Sequence, residues 1–299
     1  MRAALPAGTG LPTHARRARR GTLRRIREWV GTLLVYGVLV LGGVAMVLPF
    51  AWMLATSLKA PADVFRNPPV WFPVLPRWSN YTDAVRAAPF ARFFLNSLIV
   101  SSAITGGQLA TASLAAFALA RRVFPGRGLI LGFFIATLLI PGEITIIPAY
   151  LIVRTLGWVD TYAALIVPFL ASGFAVFFLH QAFLVVPREL EDAAAIDGAT
   201  GVGFLARILI PVSRPAVASL GLLTFVASWN SYLWPLVVTD RNEMRPVQVA
   251  LRYFLDADLG NRWPELMAAS VLIVTPVVLL FLAVQRHFVR GLTAYGLKG

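Results

Sequence analysis

The chain has 299 residues, 58% of them hydrophobic and only 14% charged, against about 25% charged in a typical soluble domain. It contains no Cys, which excludes disulfides, thiolate metal sites and cysteine nucleophiles, and its three His (His14, His180, His287) lie too far apart in sequence to suggest a zinc site. The formal net charge of +13 could suit nucleic acid, but in so oily a chain a membrane surface is the better partner for it.

The segment 1–28 is basic, with seven Arg between Arg16 and Arg27. A basic stretch ahead of an apolar run can open a secretory signal. Here the uncharged run 29–58 is long and lacks an obvious small-residue cleavage site, so it reads as an uncleaved first span with a headgroup-anchoring Arg cluster before it. Further uncharged runs at 93–120, 161–187, 215–239 and 266–285, and an apolar region at 128–153 broken only by Glu143, each reach the roughly 20 residues that cross a bilayer. Backbone groups in lipid must be satisfied internally, so the spans are helices. The fold class is therefore an all-α integral membrane protein with six transmembrane helices, at about 30–57, 93–119, 129–151, 162–186, 214–238 and 266–285. These form one membrane domain over 29–286, followed by a tail at 287–299.

Seventeen of the 27 Lys and Arg fall in the segments that are inside if the N-terminus is inside, and the positive-inside rule then puts both termini in the cytoplasm. The outer loop 59–92, rich in Pro and aromatics, suits the membrane–water interface. "RRVFPGRG" at 121–128 is a short inside turn. Glu143 follows "IPG", where a helix can loosen; an acid at membrane depth is a functional candidate, with the outer interface as the plainer alternative. His180, deep in the fourth span, reads as a hydrogen-bonded packing residue rather than a proton relay.

The inside loop 187–211 interrupts the apolar pattern with "PRELEDAAAIDGAT". Pro187 suits a first helical position, with Glu189, Glu191 and Asp192 near the positive end of the helix dipole. Gly198 supplies a left-handed stop, and Thr200 can cap a second short helix that leads to "ILIP". Glu191, Ala194, Ala195 and Gly198 recur at helical spacing, giving a face of small side chains with one carboxylate. Such a face suits close approach by another protein, or packing of the helix on its own membrane domain. In the fifth span, "WNSYLWP" offers Trp229 and Tyr232 as stacking faces and Asn230 as a hydrogen-bonding group for a solute, with interface anchoring as the alternative. The second outer loop, 240–265, is long enough for a helix between Arg245 and Phe254.

"EDAAAIDGA" followed by "ILIP" resembles the EAA loop of binding-protein-dependent ABC importer permeases. "LPFAWMLATSLK" at 48–59, "FFLNSLIVS" at 93–101, "FPGR" at 124–127, "WNSYLWPLVV" at 229–238 and "RHFVRGLTAYGLKG" at 286–299 are similar to the MalG-like permeases of the carbohydrate and glycerol-3-phosphate branch. Asp192 stands where the motif's name has its first Ala, and Ile210 replaces Leu before Pro211. The resemblance implies a bacterial inner-membrane subunit and no enzyme. Its implied partners are a second homologous permease, a dimer of ATPase subunits and an extracytoplasmic solute-binding protein. It also implies a cytoplasmic coupling helix whose residues Glu191, Ala194, Ala195, Asp197 and Gly198 meet the ATPase, a solute path drawing on Trp229, Asn230, Tyr232 and Glu143, and an outer loop 240–265 that contacts the binding protein. No GxxxxGK[ST] loop is present, so ATP and magnesium belong to the ATPase and this chain carries no cofactor of its own. The competing classes are an ion-coupled secondary transporter, for which Glu143 alone is thin support, and a membrane enzyme, for which no cluster of catalytic groups is present.

Overall fold

The computed structural model describes residues 13–199, 201–255 and 261–296, and side chains for 29–199, 201–255 and 261–285; every described element is a helix or a turn. The chain divides into two compact units, Met1–Ala55 and Thr56–Gly299. In the first unit, helix α1 (Thr13–Ser57) runs without interruption and passes Pro49. Its part Trp29–Ser57 contains an 18-residue stretch with a mean hydropathy of 2.4, and Leu33, Val38, Leu41 and Met46 are exposed, as a lipid-facing helix requires. The terminal segments 1–12 and 297–299, and the side chains of 13–28 and 286–296, lie outside the described residues, as does Thr200 with its expected cap.

The second unit is organised on α3 (Phe90–Arg121), a 32-residue helix packed chiefly on α7 (Gly173–Val185) and on α10 (Arg214–Trp229). Ala112, Ala116 and Ala120 repeat at every fourth position and are buried, which lets neighbouring backbones close in where lipid gives no hydrophobic drive between helices. Gly173 serves the same purpose on α7: a Cβ there would strike the Phe134 carbonyl and Thr137 of α4 (Arg127–Thr137).

Among the described residues, three helices are long and apolar enough to cross a membrane: Trp29–Ser57, Phe90–Arg121 and Trp263–Gln285, the last being part of α12 (Trp263–Gly296). Three further pairs qualify when each bent pair counts as one span, giving up to six. Bends replace several of the continuous spans expected from the sequence. Helix α4 turns by 98° into α5 (Gly142–Thr155), because Pro141 has no amide hydrogen and holds an extended ψ of 131°. Helix α6 (Tyr162–Ile166) with its 3-10 extension to Phe169 meets α7 at 42°, and Ser172 caps the new start by accepting from the Ala175 amide at 3.3 Å. The expected fifth span 214–238 is α10 followed by α11 (Leu233–Val238), interrupted at Asn230–Tyr232.

The carbonyls freed at the 42° bend are met by α3. Gln108 Nε2 donates to Phe169 O at 2.8 Å, and Thr111 Oγ1 to Leu170 O at 2.7 Å. In a membrane such groups need protein partners, so the bend and these two side chains form one structural solution. At the other end, helix α2 (Ser79–Arg86) is tied down by Asn80, which donates to the carbonyls of Ser57 and Lys59 at 2.9 Å each. The helix expected between Arg245 and Phe254 is a 3-10 helix, Val247–Phe254. Asn96 and Ser97 of α3 hold the strand of chain leading into it, through Glu243 O, Arg245 O and the Val247 amide.

Candidate functional site

Two regions of the second unit carry the chemistry: an arm between α7 and α10, and a cavity beside α3.

The arm begins with α8 (Glu189–Ile196), which starts two residues after Pro187 rather than at it. Three acids in its first turn complement the helix dipole. It ends in a Schellman motif: Gly198 is left-handed (φ 80°), its amide donates to Ala195 O at 3.1 Å, and the Ala199 amide reaches back to Ala194 O at 2.8 Å. Helix α9 (Val202–Val212), with a π-helical middle at Leu205–Leu209, then meets α10 at 85°. The face drawn through Glu191, Ala194, Ala195 and Gly198 divides in the folded chain. Ala194 is only 4% exposed and packs in the same core as Phe117, Phe183 and Phe204. Glu191 also turns inward, while Ala195, Asp197 and Gly198 are exposed. Beside them Ile196 is 88% exposed, an apolar side chain that the sequence reading passed over.

The carboxylate of Glu191 lies between two guanidinium groups at the end of α3. Its Oε2 is 4.0 Å from Arg121 Nη1, and its Oε1 is 3.6 Å from Arg122 Nη2. Arg122 is half exposed and stands over the Phe117 ring at 5.0 Å. Arg121 has a side chain only 3% exposed and also donates from Nη2 to the carbonyls of Phe183 and Val186, both at 2.6 Å. Those carbonyls end α7, where the helix dipole favours a cation.

The cavity, about 460 Å³, is walled by α3, the α6–α7 bend and the α10–α11 break. Its polar wall is neutral: Ser97, Ser101, Gln108, Ser172, Thr224, Ser228 and Ser231, with no Lys, Arg, Asp or Glu among the lining residues. Several of these are already committed. Ser97 accepts from the Val247 amide, and Gln108 holds both Phe169 O and the Thr224 hydroxyl. Ser219 and Ser270, by contrast, bond back to the carbonyl four residues earlier, as membrane serines commonly do. Ser101 and Ser228 do neither: their hydroxyls are buried with no partner among the described residues. Both residues line the neutral cavity, and a buried hydroxyl that rotates into it becomes a donor–acceptor group for a hydroxylated guest.

The residues expected to line a solute path are not on this wall. Trp229 is 3% exposed, stacked on Phe225 (5.8 Å), edge-on to Phe94 (5.9 Å) and donating its indole N–H to Ile273 O at 3.1 Å. One face, an edge-type contact and the indole N–H are thus used in packing. Asn230 and Tyr232 are exposed at the break after α10, and Asn230 accepts from Gln248 Nε2 at 3.1 Å. The helical spacing that paired Trp229 with Tyr232 does not apply across that break. Glu143 is exposed in the first turn of α5, beside the 98° bend. His180 is buried in α7. Sequence reasoning missed Ser101 and the Arg121–Arg122 pair, and gave Ser228 no role of its own. The serines are single small polar residues in apolar runs, and the arginines read as ordinary positive-inside charges.

Residues 108–294 match the family described as "Binding-protein-dependent transport system inner membrane component". The sn-glycerol-3-phosphate transport system permease protein UgpE of Agrobacterium fabrum is 34% identical over 274 residues, which cover 88% of this chain and 96% of that protein. The sulfoquinovosyl glycerol transport system permease protein SmoH of the same organism is 35% identical over 253 residues, covering 84% and 88% respectively. Among solved structures, a bacterial ABC transporter involved in the import of the acidic polysaccharide alginate superposes with a TM-score of 0.77 at 22% identity, over 88% of this chain and 98% of that one, a likeness of fold. With a family match over more than half of its length and a 34%-identical relative covered almost end to end, this chain belongs to the binding-protein-dependent transport system inner membrane components.

Proposed function

We propose that this chain is a membrane subunit of an ATP-driven importer of the bacterial inner membrane, passing a sugar or a glycerol-3-phosphate-like solute. It works with a second, homologous permease, an ATPase dimer that holds the ATP and magnesium, and an extracytoplasmic solute-binding protein. The observation that carries this reading is the arm 187–211. It is charged, sharply turned from α10, anchored inward by Ala194, and leaves Ile196 exposed beside Asp197 and Gly198. An apolar peg next to acids, outside the apolar spans, suits docking into a groove of a soluble partner. In this reading Ala195, Ile196, Asp197 and Gly198 meet the ATPase, and Glu191 and Ala194 tie that contact to the bundle.

The solute side rests on the cavity. UgpE and SmoH carry the names of glycerol-bearing solutes, and both sugars and glycerol esters present neighbouring hydroxyls. Ser101 and Ser228 can each donate to and accept from such a group, and apolar neighbours such as Val100, Ile104 and Phe169 meet its C–H surface.

The test is reconstitution of the complete assembly in vesicles with external binding protein. Uptake should require ATP on the ATPase side, and Ile196→Asp should abolish recruitment of the ATPase while the membrane subunits still assemble. Uptake driven by an ion gradient without ATP would instead favour the secondary-transporter class. The orientation is read in the same vesicles: a single Cys at Ser79 should react with impermeant maleimide from the binding-protein side, and one at Asp192 from the ATPase side.

A further inference from the structure

We propose that Arg121 is a positioning residue for transport: it latches the arm to α3 and α7, with the Glu191 carboxylate held inside this chain as its ionic partner. The inference rests on the ATP-driven reading above and adds the route by which the arm moves the cavity. Three elements converge on one guanidinium. Arg121 is the last residue of α3, its Nη2 bonds the two carbonyls that close α7, and its Nη1 faces Glu191 of α8. Arg122 takes the other carboxylate oxygen. Both oxygens of Glu191 therefore face α3, away from the exposed side of α8 that carries Ile196 and Asp197.

The guanidinium suits this task where an ammonium would not. Its planar fork can hold a carboxylate and two carbonyls at once, and it stays charged when buried. Its Nε is buried without an acceptor among the described residues, so the site is not arranged for stability alone. A buried ion pair is weak evidence for stabilisation, because an apolar pair of similar size often serves as well. What a charged latch adds is register between helices that could otherwise slide. Helix α3 also carries Ser97, Ser101 and Gln108 on the cavity wall, so a pull on α8 delivered through Arg121 acts on the helix that shapes the cavity.

The experiment compares wild type, Arg121→Gln, Glu191→Gln and the double variant as complete importers in vesicles, reading solute moved per ATP hydrolysed. Each single change should lower that ratio roughly tenfold, and the double variant should be no worse than the poorer single, as expected where the carboxylate works through the guanidinium that also holds α7. Arg121→Lys should recover part of the loss, since it restores the charge without the fork. A double variant that loses the product of the two single effects overturns the latch, for Glu191 then works with another partner. A proportional fall of uptake and ATP hydrolysis, with less assembled complex, also overturns it in favour of plain folding support. Should Arg121→Gln fail to assemble, the same cycle is run with Arg122→Gln, which leaves the α7 carbonyl contacts in place, and Arg122→Cys with Glu191→Cys is treated with a short bismaleimide in this Cys-free chain. Cross-linking in the nucleotide-free complex is expected, and its absence overturns the proposal. Wild-type uptake that does not depend on ATP would take down the underlying reading; wild-type ATP-driven uptake with an additive cycle would take down the latch alone.

Discussion

The two ends of α3 do opposite kinds of work. At its C-terminus, Arg121 and Arg122 meet Glu191 through charge, and the arm beyond turns at two glycines of positive φ, Gly198 and Gly201. Nearer its middle and N-terminal half, Ser97 accepts from the Val247 amide and Gln108 meets Phe169 O and the Thr224 hydroxyl, all through neutral hydrogen bonds, while the Ser101 hydroxyl has no partner among the described residues. The charges at the helix end are paired with one another, Arg121 buried and Arg122 half exposed, and neutral groups line the cavity, where an unpaired charge would be expensive. The difference predicts how each end fails. The arm depends on a few strong and specific features, so single changes there should act nearly all or none. The cavity spreads its polarity over several weak donors, so single changes there should act by degrees.

The largest effect is expected between the two regions, at the bend that serves both. Gly173→Val places a side chain against the Phe134 carbonyl and Thr137, where backbone cannot yield as a flexible side chain can. Overpacking of this kind costs about 1–3 kcal/mol and often more against backbone, so the variant should fail to accumulate in membranes. Normal abundance on a membrane immunoblot would show that α4 and α7 can separate without harm.

Next in size is Gly198→Val in the arm. Gly198 holds φ 80°, and space around its would-be Cβ is open in this chain. The cost is therefore conformational, about 1–2 kcal/mol for forcing an L-residue left-handed, together with whatever a docked partner adds. Uptake should vanish while the protein still accumulates. Gly198→Asn separates the two contributions, since Asn tolerates the left-handed region. Uptake restored by Asn would mean that the Schellman turn alone matters; uptake still absent would mean that the ATPase presses on that spot.

A graded effect is expected at the cavity. Gln108→Leu removes the donor to Phe169 O and the acceptor for Thr224. Hydrogen bonds between membrane helices average under about 1 kcal/mol, so the protein should persist and the half-saturating solute concentration should rise a few-fold. A complete loss of uptake would erase the contrast with the arm.

The features of the arm were legible because its signals are local. Gly198 after an alanine-rich turn, and acids in the first turn, need only neighbours in sequence to be understood, and the structure gives the Schellman turn and the dipole pairing at those residues. Pro187 misled slightly, since the helix begins at Glu189. The inward turn of Glu191 and Ala194 was not legible, because it depends on Arg121, 70 positions away in the chain. The cavity was hidden for the same reason. Ser101 and Ser228 acquire meaning only when α3 and α10 stand side by side, and an apolar run with an occasional Ser looks the same whether the Ser faces a neighbour, lipid or a void. The bends were half visible. Pro141 marked the first, whereas the break at Asn230–Tyr232 interrupts a stretch whose apolar content reads as one continuous span. Trp229 was read as a platform for a solute and instead stacks on Phe225, because an aromatic's partner is set by packing rather than by its place in a motif.

The smallest effect is expected at that break, and it tests whether the solute route leaves the cavity along it. Asn230 and Tyr232 flank Ser231, which lies on the cavity wall, yet both point to exposed positions, with Asn230 occupied by Gln248. If solute passes from the outer surface to Ser228 and Ser101 by this side, Asn230→Ala removes one amide and Tyr232→Phe one hydroxyl from its way. Each group is open to water, so its loss exchanges one hydrogen bond for another and is worth about 0.5–1.5 kcal/mol at most. A two- to tenfold rise in half-saturating concentration is the corresponding expectation, with maximal uptake and protein abundance unchanged. Gln248→Ala provides the control, because it frees Asn230 without removing it and should leave the affinity at the wild-type value or improve it. Unaltered kinetics in both Asn230→Ala and Tyr232→Phe would mean that the break is an interface-anchored hinge. The solute would then reach Ser101 from another side of the cavity.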